Sequence, residues 1–259
     1  VSSTKNRRLF GRIMNLVFHC AGSVVVNSMN TAGLVRSCGV PLNNIILAKP
    51  GVGKKWMAAK PFKETIGFKN EINPTLLSVG RLVPHKGHAT VVKALPRLVK
   101  IWPGLQWVLV GAGPEKENLE KLAEKLGVTR NVNFLSSLSD GELQKCYENA
   151  DLFVHPNGEV DGSFEGYGMV FLEAGACSLA VIGGQDGGVP ETVLNGETGF
   201  LVPPFDPNTL FERVALLLRN HALRSEMGRN GRCLAQSRGW DQTLSSIIRY
   251  ESMLLEAGI

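Results

Sequence analysis

The chain has 259 residues, 44% hydrophobic and 20% charged, with 28 Lys and Arg against 23 Asp and Glu for a net charge of +5. That composition suits a globular protein of about two domains and excludes a disordered or fibrous chain. The mild positive charge suits a phosphate-bearing ligand or an anionic surface without demanding either. Five cysteines (Cys20, Cys38, Cys146, Cys177 and Cys233) form no CxxC pair, so neither a disulfide framework nor a zinc ribbon is expected, and a reducing cytoplasm fits. The apolar stretch at 13–26 is broken by Asn15, His19 and a Gly-Ser pair, too short and polar to span a bilayer. The first residue is Val1 and no signal peptide is visible, which suggests a fragment or a processed start.

In chain order, residues 7–52 read as a short helix–strand–helix–strand unit with strands over 23–26 and 45–48, too small to bury a core alone. The charged, turn-rich segment 61–73 reads as a connector. Short apolar runs at 75–79, 107–110, 132–135, 152–155, 180–182 and 199–202 have the look of strands buried on both faces of a parallel sheet. Helical patterns fall between or after them at 89–101, 116–126, 141–149, 168–176 and 208–219, and a last one at 241–255 follows Trp240. Leu119, Leu122, Ala123 and Leu126 share one side of the second of these, and Ser139 with Glu142 predicts a capping box on the third. Repeated βα units imply a Rossmann-like, doubly wound α/β domain on a parallel sheet.

Several motifs sit at the ends of those strands. The run AKPGVGKK at 48–55 nearly spells a phosphate loop, but Ala48 and Lys55 stand where a glycine and a hydroxyl are needed, so it reads as a turn. Gly111-Ala-Gly113 lacks the third glycine of a dinucleotide fingerprint and reads as a tight strand-to-helix turn. In SVGRLVPHKG at 78–87, Gly80 ends a strand and Arg81 and Lys86 fall at its carboxyl end, where open α/β sheets bind ligands. Two cations there suit a phosphate group or, equally, a solvated loop. In FEGYGMVFLE at 164–173, Glu165, Gly166, Tyr167, Gly168 and Met169 lead into a helix whose start favours an anion. Glu173 follows two turns later in an apolar helix and needs a partner, either sugar hydroxyls or a structural cation. A glycine-rich loop at 183–191 would lie beside it. The five histidines show no metal-binding spacing, and no GxSxG elbow is present.

Taken in order, SVGRLVPHKG, VLVGAGPE, VNFL, ADLFVHPN, FEGYGMVFLEAGA and GGVPETVLNGETGFLVPP resemble the donor-binding domain of family 4 retaining glycosyltransferases of the GT-B fold, over roughly residues 75–220. Ser136 and the run Ser178-Leu179-Ala180 depart from the family pattern near backbone turns. The resemblance implies a remnant of the N-terminal domain over 1–52, a linker over 53–74, a nucleotide-sugar domain over 75–238 and a returning helix over 239–259. It implies transfer of a hexose from a nucleotide-diphosphate sugar to a glycan or lipid-linked hydroxyl without a metal or other cofactor. Arg81 and Lys86 would hold the diphosphate with the backbone at Gly166–Met169, Glu165 would contact the sugar, Glu173 the ribose, and Phe134 and Leu135 the base. Gly187 and Gly188 would line the same cleft. The partners so implied are the donor, the acceptor and the rest of an N-terminal domain, with no nucleic acid. The alternatives are a nucleotide-sugar binding fragment without catalysis, and a peripheral contact with the inner face of a membrane through the basic run at 5–12.

Overall fold

The structure is a computed structural model, and it describes residues 13–14, 16–18, 20–57 and 73–256. The basic run at 5–12 and connector positions 58–72 lie outside the described residues. The chain divides into two compact units, Val1–Gly51 with Trp240–Ile259, and Val52–Gly239.

In the first unit, β1 (Val24–Val26) and β2 (Ile45–Leu47) pair in parallel around α1 (Met29–Ser37). Ser28 caps the helix, its hydroxyl accepting from the Thr31 N–H at 3.0 Å. Val26, Ala32, Val35 and Val40 make a small core. The helix Trp240–Glu256 joins this unit through the Thr243 hydroxyl, which donates to the Lys49 carbonyl at 2.6 Å.

The second unit opens on a single turn, α2 (Lys54–Met57), and is built on one sheet of β3 (Thr75–Val79), β4 (Gln106–Val110), β5 (Val132–Leu135), β6 (Leu152–His155), β7 (Val181–Gly184) and β8 (Gly199–Val202). The order is β5-β4-β3-β6-β7-β8 with every pair parallel. The helices α3 (His88–Ile101), α4 (Lys116–Lys125), α5 (Asp140–Asn149), α6 (Met169–Ala176), α7 (Pro207–Arg219) and α8 (His221–Gln236) cover it. One face packs Leu95 and Leu98 of α3, Leu119 of α4 and Val214 of α7 against Trp107 and Leu109. The other packs Tyr147 of α5 and Phe171 and Leu172 of α6 against Leu77 and Phe153. Both faces are therefore covered, as the continuous apolar strands require. The one buried hydroxyl of β3 is satisfied: Ser78 donates to the Val154 carbonyl and accepts from the Trp107 indole at 2.9 Å.

The expected Rossmann-like class is realised, and the predicted elements of the sheet unit lie within two residues of those observed. The chain winds outward from β3 through β4 and β5, then returns to β6 and winds the other way, so the switch point lies between β3 and β6. The capping box of α5 is present, with the Ser139 N–H donating to the Glu142 carboxylate at 2.8 Å.

Helix α8 is the element that periodicity does not reveal. Its buried positions are Met227, Gly228, Gly231 and Ala235, so the face it presents to α6 is made of small residues instead of an apolar stripe. A Cβ on Gly228 would stand 2.1 Å from the Ser178 carbonyl oxygen, and one on Gly175 would stand 2.7 Å from that of Gly231. Gly228→Ala should therefore lower unfolding stability in urea by about 1–3 kcal/mol through overpacking. A gain, as intrinsic helix propensity alone would give, would show that α8 is free to shift.

Candidate active site

All six strands point the same way, so the loops that follow them gather at one sheet edge. Three of those loops touch backbone to backbone, and glycines permit it. Gly87 has φ +72, and a Cβ there would lie 2.0 Å from the Pro156 carbonyl oxygen. Gly187 has φ +59, with a Cβ meeting the Glu165 carbonyl oxygen at 2.3 Å. Hydrogen bonds tie the same segments, from the Gly158 N–H to the His85 carbonyl at 2.9 Å and from the Gly188 N–H to the Glu165 carbonyl at 2.8 Å.

This fastening brings Lys86, after β3, onto Glu165, after β6, as a direct ion pair whose side chains are each 14% exposed. His85 senses the whole cluster: burial lowers its pKa, the Lys86 and Arg81 cations push it further down, and the Glu165 carboxylate opposes them. Arg81 is exposed and close enough to His85 to act on its charge. Gly80 ends β3, its N–H donating to the Val110 carbonyl at 2.9 Å. Helix α6 starts at Met169 after Gly168, with no side chain capping its first turn. A cation pair and an uncapped helix start beside a carboxylate make a site for an anion attached to a polar group.

Glu173 lies further along α6, in a second polar cluster. It takes a hydrogen bond from the Tyr147 hydroxyl at 3.0 Å. Burial pushes its carboxyl pKa up, while that hydrogen bond and the Lys55 cation pull it back and Asp140 adds to the rise. Lys55 itself is ion-paired with Asp140 at 2.7 Å. The costly carboxylate in an apolar helix is thus met by a neutral hydroxyl of the protein, a partner that sequence reasoning did not name. The only hint was a tyrosine in α5, whose helix covers the same sheet face as α6.

Two expected donor-site residues, Tyr167, expected through its backbone, and Phe134, expected beside the base, pack their side chains against the core. Tyr167 is 2% exposed and packs in the core with its hydroxyl toward Arg238, so only its backbone is available at the loop. Phe134 packs partly against the core under α3 and α4, because alternation along β5 sends it to the face opposite Leu135. Its outer side lines an open cleft of about 500 Å³ with Glu117, Glu120 and Lys121, which contains none of Arg81, Lys86, Glu165 or Glu173. Ala48 and Lys55 of the near-phosphate loop fall in different units. Gly111 is a tight-turn glycine, since a Cβ there would meet the Gly80 carbonyl oxygen at 1.9 Å. Among the described residues no cluster of three metal-ligating side chains occurs, and no helix is long and apolar enough to cross a membrane.

A doubly wound parallel sheet with charged groups and a helix start gathered at its switch point defines the class of α/β domain in which ligands bind beyond the carboxyl ends of the strands. More narrowly, residues 60–233 match the family described as Glycosyl transferases group 1, and the chain belongs to that family of GT-B glycosyltransferases. A GDP-mannose-dependent alpha-(1-6)-phosphatidylinositol monomannoside mannosyltransferase of Mycolicibacterium smegmatis is 35% identical over 190 residues, which cover 71% of this chain and 49% of that protein. The chain spans about half the length of the curated relatives it matches. The sucrose-phosphate synthase of Thermosynechococcus elongatus has a similar structure, with TM-score 0.81, 26% identity, and coverage of 99% of this chain and 65% of that one. Anabaena Alr3699/HepE, solved in complex with UDP and glucose, shares the fold at TM-score 0.77 and 21% identity, over 97% of this chain and 67% of that one.

Beneath the ion pair, His88 and His155 are buried edge to face with ring centroids 5.2 Å apart. Burial lowers His88 to about 4 against the opposing Arg81 carbonyl, and Lys86 and His85 add to the fall. Burial also holds His155 well below its ordinary value, helped by His88, Lys86 and His85. Both folded-state pKa values are depressed, so the unfolded chain takes up protons that the folded chain refuses. Stability should fall as pH drops from about 6.5 toward 4, by up to about 1.4 kcal/mol per pH unit for each histidine. Glu173, whose pKa is raised, works in the opposite direction at the acid end. Urea midpoints measured across this range should decline with acidity, and a flat profile would contradict the neutral pair.

Proposed function

We propose that this chain carries the donor half of a retaining glycosyltransferase that moves a hexose from a nucleotide-diphosphate sugar to an acceptor hydroxyl on a glycan or lipid. The observation that carries the proposal is the Lys86–Glu165 pair, held at the switch point beside the start of α6 with the exposed Arg81 close by. When the bond from the sugar to the diphosphate breaks, negative charge collects on the leaving group. Arg81, Lys86 and the N–H groups at the start of α6 compensate that charge in place, which makes this a site for cation and backbone stabilisation of the leaving group. Glu165, next to Lys86, faces the sugar and the positive charge that develops at its anomeric carbon. Glu173 holds the ribose hydroxyls.

GDP-mannose is the proposed donor, on the strength of the mannosyltransferases among the relatives. Those relatives act on phosphatidylinositol monomannoside, which supports a lipid-linked acceptor here, and a reading of the chain at the cytoplasmic face of a membrane goes with it. A nucleotide-sugar binding fragment without transfer remains the second reading, favoured by the length the chain shares with its relatives.

A thermal-shift panel of guanosine, uridine and adenosine diphosphate sugars tests the donor. A ligand at about 100 times its dissociation constant adds roughly 2.7 kcal/mol of stability, and the guanosine sugar should give the largest shift. Glu173→Ala should raise the donor dissociation constant in calorimetry. Lys86→Ala should chiefly lower turnover, by about 100- to 1,000-fold, as for loss of one preorganised charge contact. Undiminished donor binding in Glu173→Ala would remove its assigned role.

A further inference from the structure

Tyr147 belongs to neither the ion pair nor the helix start, yet it is the buried polar group nearest to Glu173. Its side chain is 0% exposed on α5. The ring is fixed edge-on by Trp56, with centroids 5.1 Å apart at 82°, and is stacked on Phe153 at 5.7 Å and 22°. Burial first, and then the Glu173 carboxylate, push the phenol pKa well above 10, so the hydroxyl stays protonated and donates. It donates to Oε2 of Glu173 at 3.0 Å. The neighbouring cation, Lys55, is tied to Asp140, and Oε1 of Glu173 carries no hydrogen bond among the described residues. Glu173 is itself only partly buried. A phenylalanine would fill the same slot but would leave Glu173 without this hydrogen bond, so the hydroxyl acts on the carboxylate and not on the packing.

We infer that Tyr147 is a positioning residue of the donor site, whose hydroxyl occupies one oxygen of Glu173 and thereby orients the other toward a vicinal diol. The proposal rests on the reading of Glu173 as the ribose-binding group. A fixed donor on Oε2 removes the freedom of the carboxylate to rotate, and a diol that must bridge to a single aligned oxygen gains from that loss of freedom before it arrives.

The test is a cycle between one protein hydroxyl and the ligand's own hydroxyls. Calorimetry compares GDP with 2′,3′-dideoxy-GDP on the full chain and on Tyr147→Phe, with ligand-free melting of both as a control on folding. The chain with Tyr147 should prefer GDP. Tyr147→Phe should lose about tenfold in GDP affinity and nothing toward the dideoxy nucleotide, as expected when a hydrogen bond to a charged group is removed. Glu173→Gln should abolish the preference altogether. A preference that survives intact in Tyr147→Phe, or an equal loss toward both nucleotides, overturns the positioning role while leaving Glu173 as the ribose group. Equal binding of GDP and dideoxy-GDP by the unsubstituted chain overturns the ribose role and this proposal with it. Failure of any guanosine nucleotide to bind, where another nucleotide does, is already read by the thermal-shift panel, and the cycle then uses that nucleotide and its dideoxy form.

Discussion

The charged cluster of this domain depends on how closely three backbone segments can approach. Lys86 and Glu165 are 79 positions apart in the chain and share no secondary-structure element. They meet because the turn after β3 lies on the carbonyl of Pro156 and the turn after β7 lies on the carbonyl of Glu165, at distances that leave no room for a side chain. A parallel sheet gathers its carboxyl-end loops at one edge but does not by itself fix their spacing. Here the spacing is fixed by close main-chain contact, and loop-borne groups acquire a precision that loops ordinarily lack.

Beneath those loops the domain keeps its interior electrically quiet. Ser78 spends its hydroxyl between the Trp107 indole and the Val154 carbonyl, and His88 and His155 are held neutral by burial. Cys177 is similarly pushed up to about 12, chiefly by burial, and is an inert packing group. A low-dielectric floor strengthens any electrostatic contact made just above it.

Much of this was legible in the sequence for physical reasons. Strands such as β6, buried on both faces, show as unbroken apolar runs, and the helices that cover the sheet with leucines show a clear period. Helix α8 escaped because it packs through Gly228 and Gly231, and a close backbone contact leaves no apolar signature. Arg81, Lys86, Glu165 and Glu173, the residues of the proposed site, stand out in the sequence by their place after strands and in the helix that follows. The pairing of Lys86 with Glu165, the inward turn of Tyr167 and the contact of Tyr147 with Glu173 depend on tertiary approach, which spacing along a chain does not encode. Phe134 was placed near the base through the family resemblance alone, and the alternation of β5 turns its side chain to the face opposite Leu135.

The ion pair has a consequence for how the site meets its surroundings. With Lys86 and Glu165 already joined, the pair is a zwitterion with little net field, and on the proposed reading the exposed Arg81 guanidinium would be the cation that an approaching diphosphate senses from a distance. Added salt would then slow arrival, through screening of Arg81, more than it would loosen what has already been seated. On the proposed reading, capture would fall to Arg81 and grip to Lys86, five positions later in the same loop.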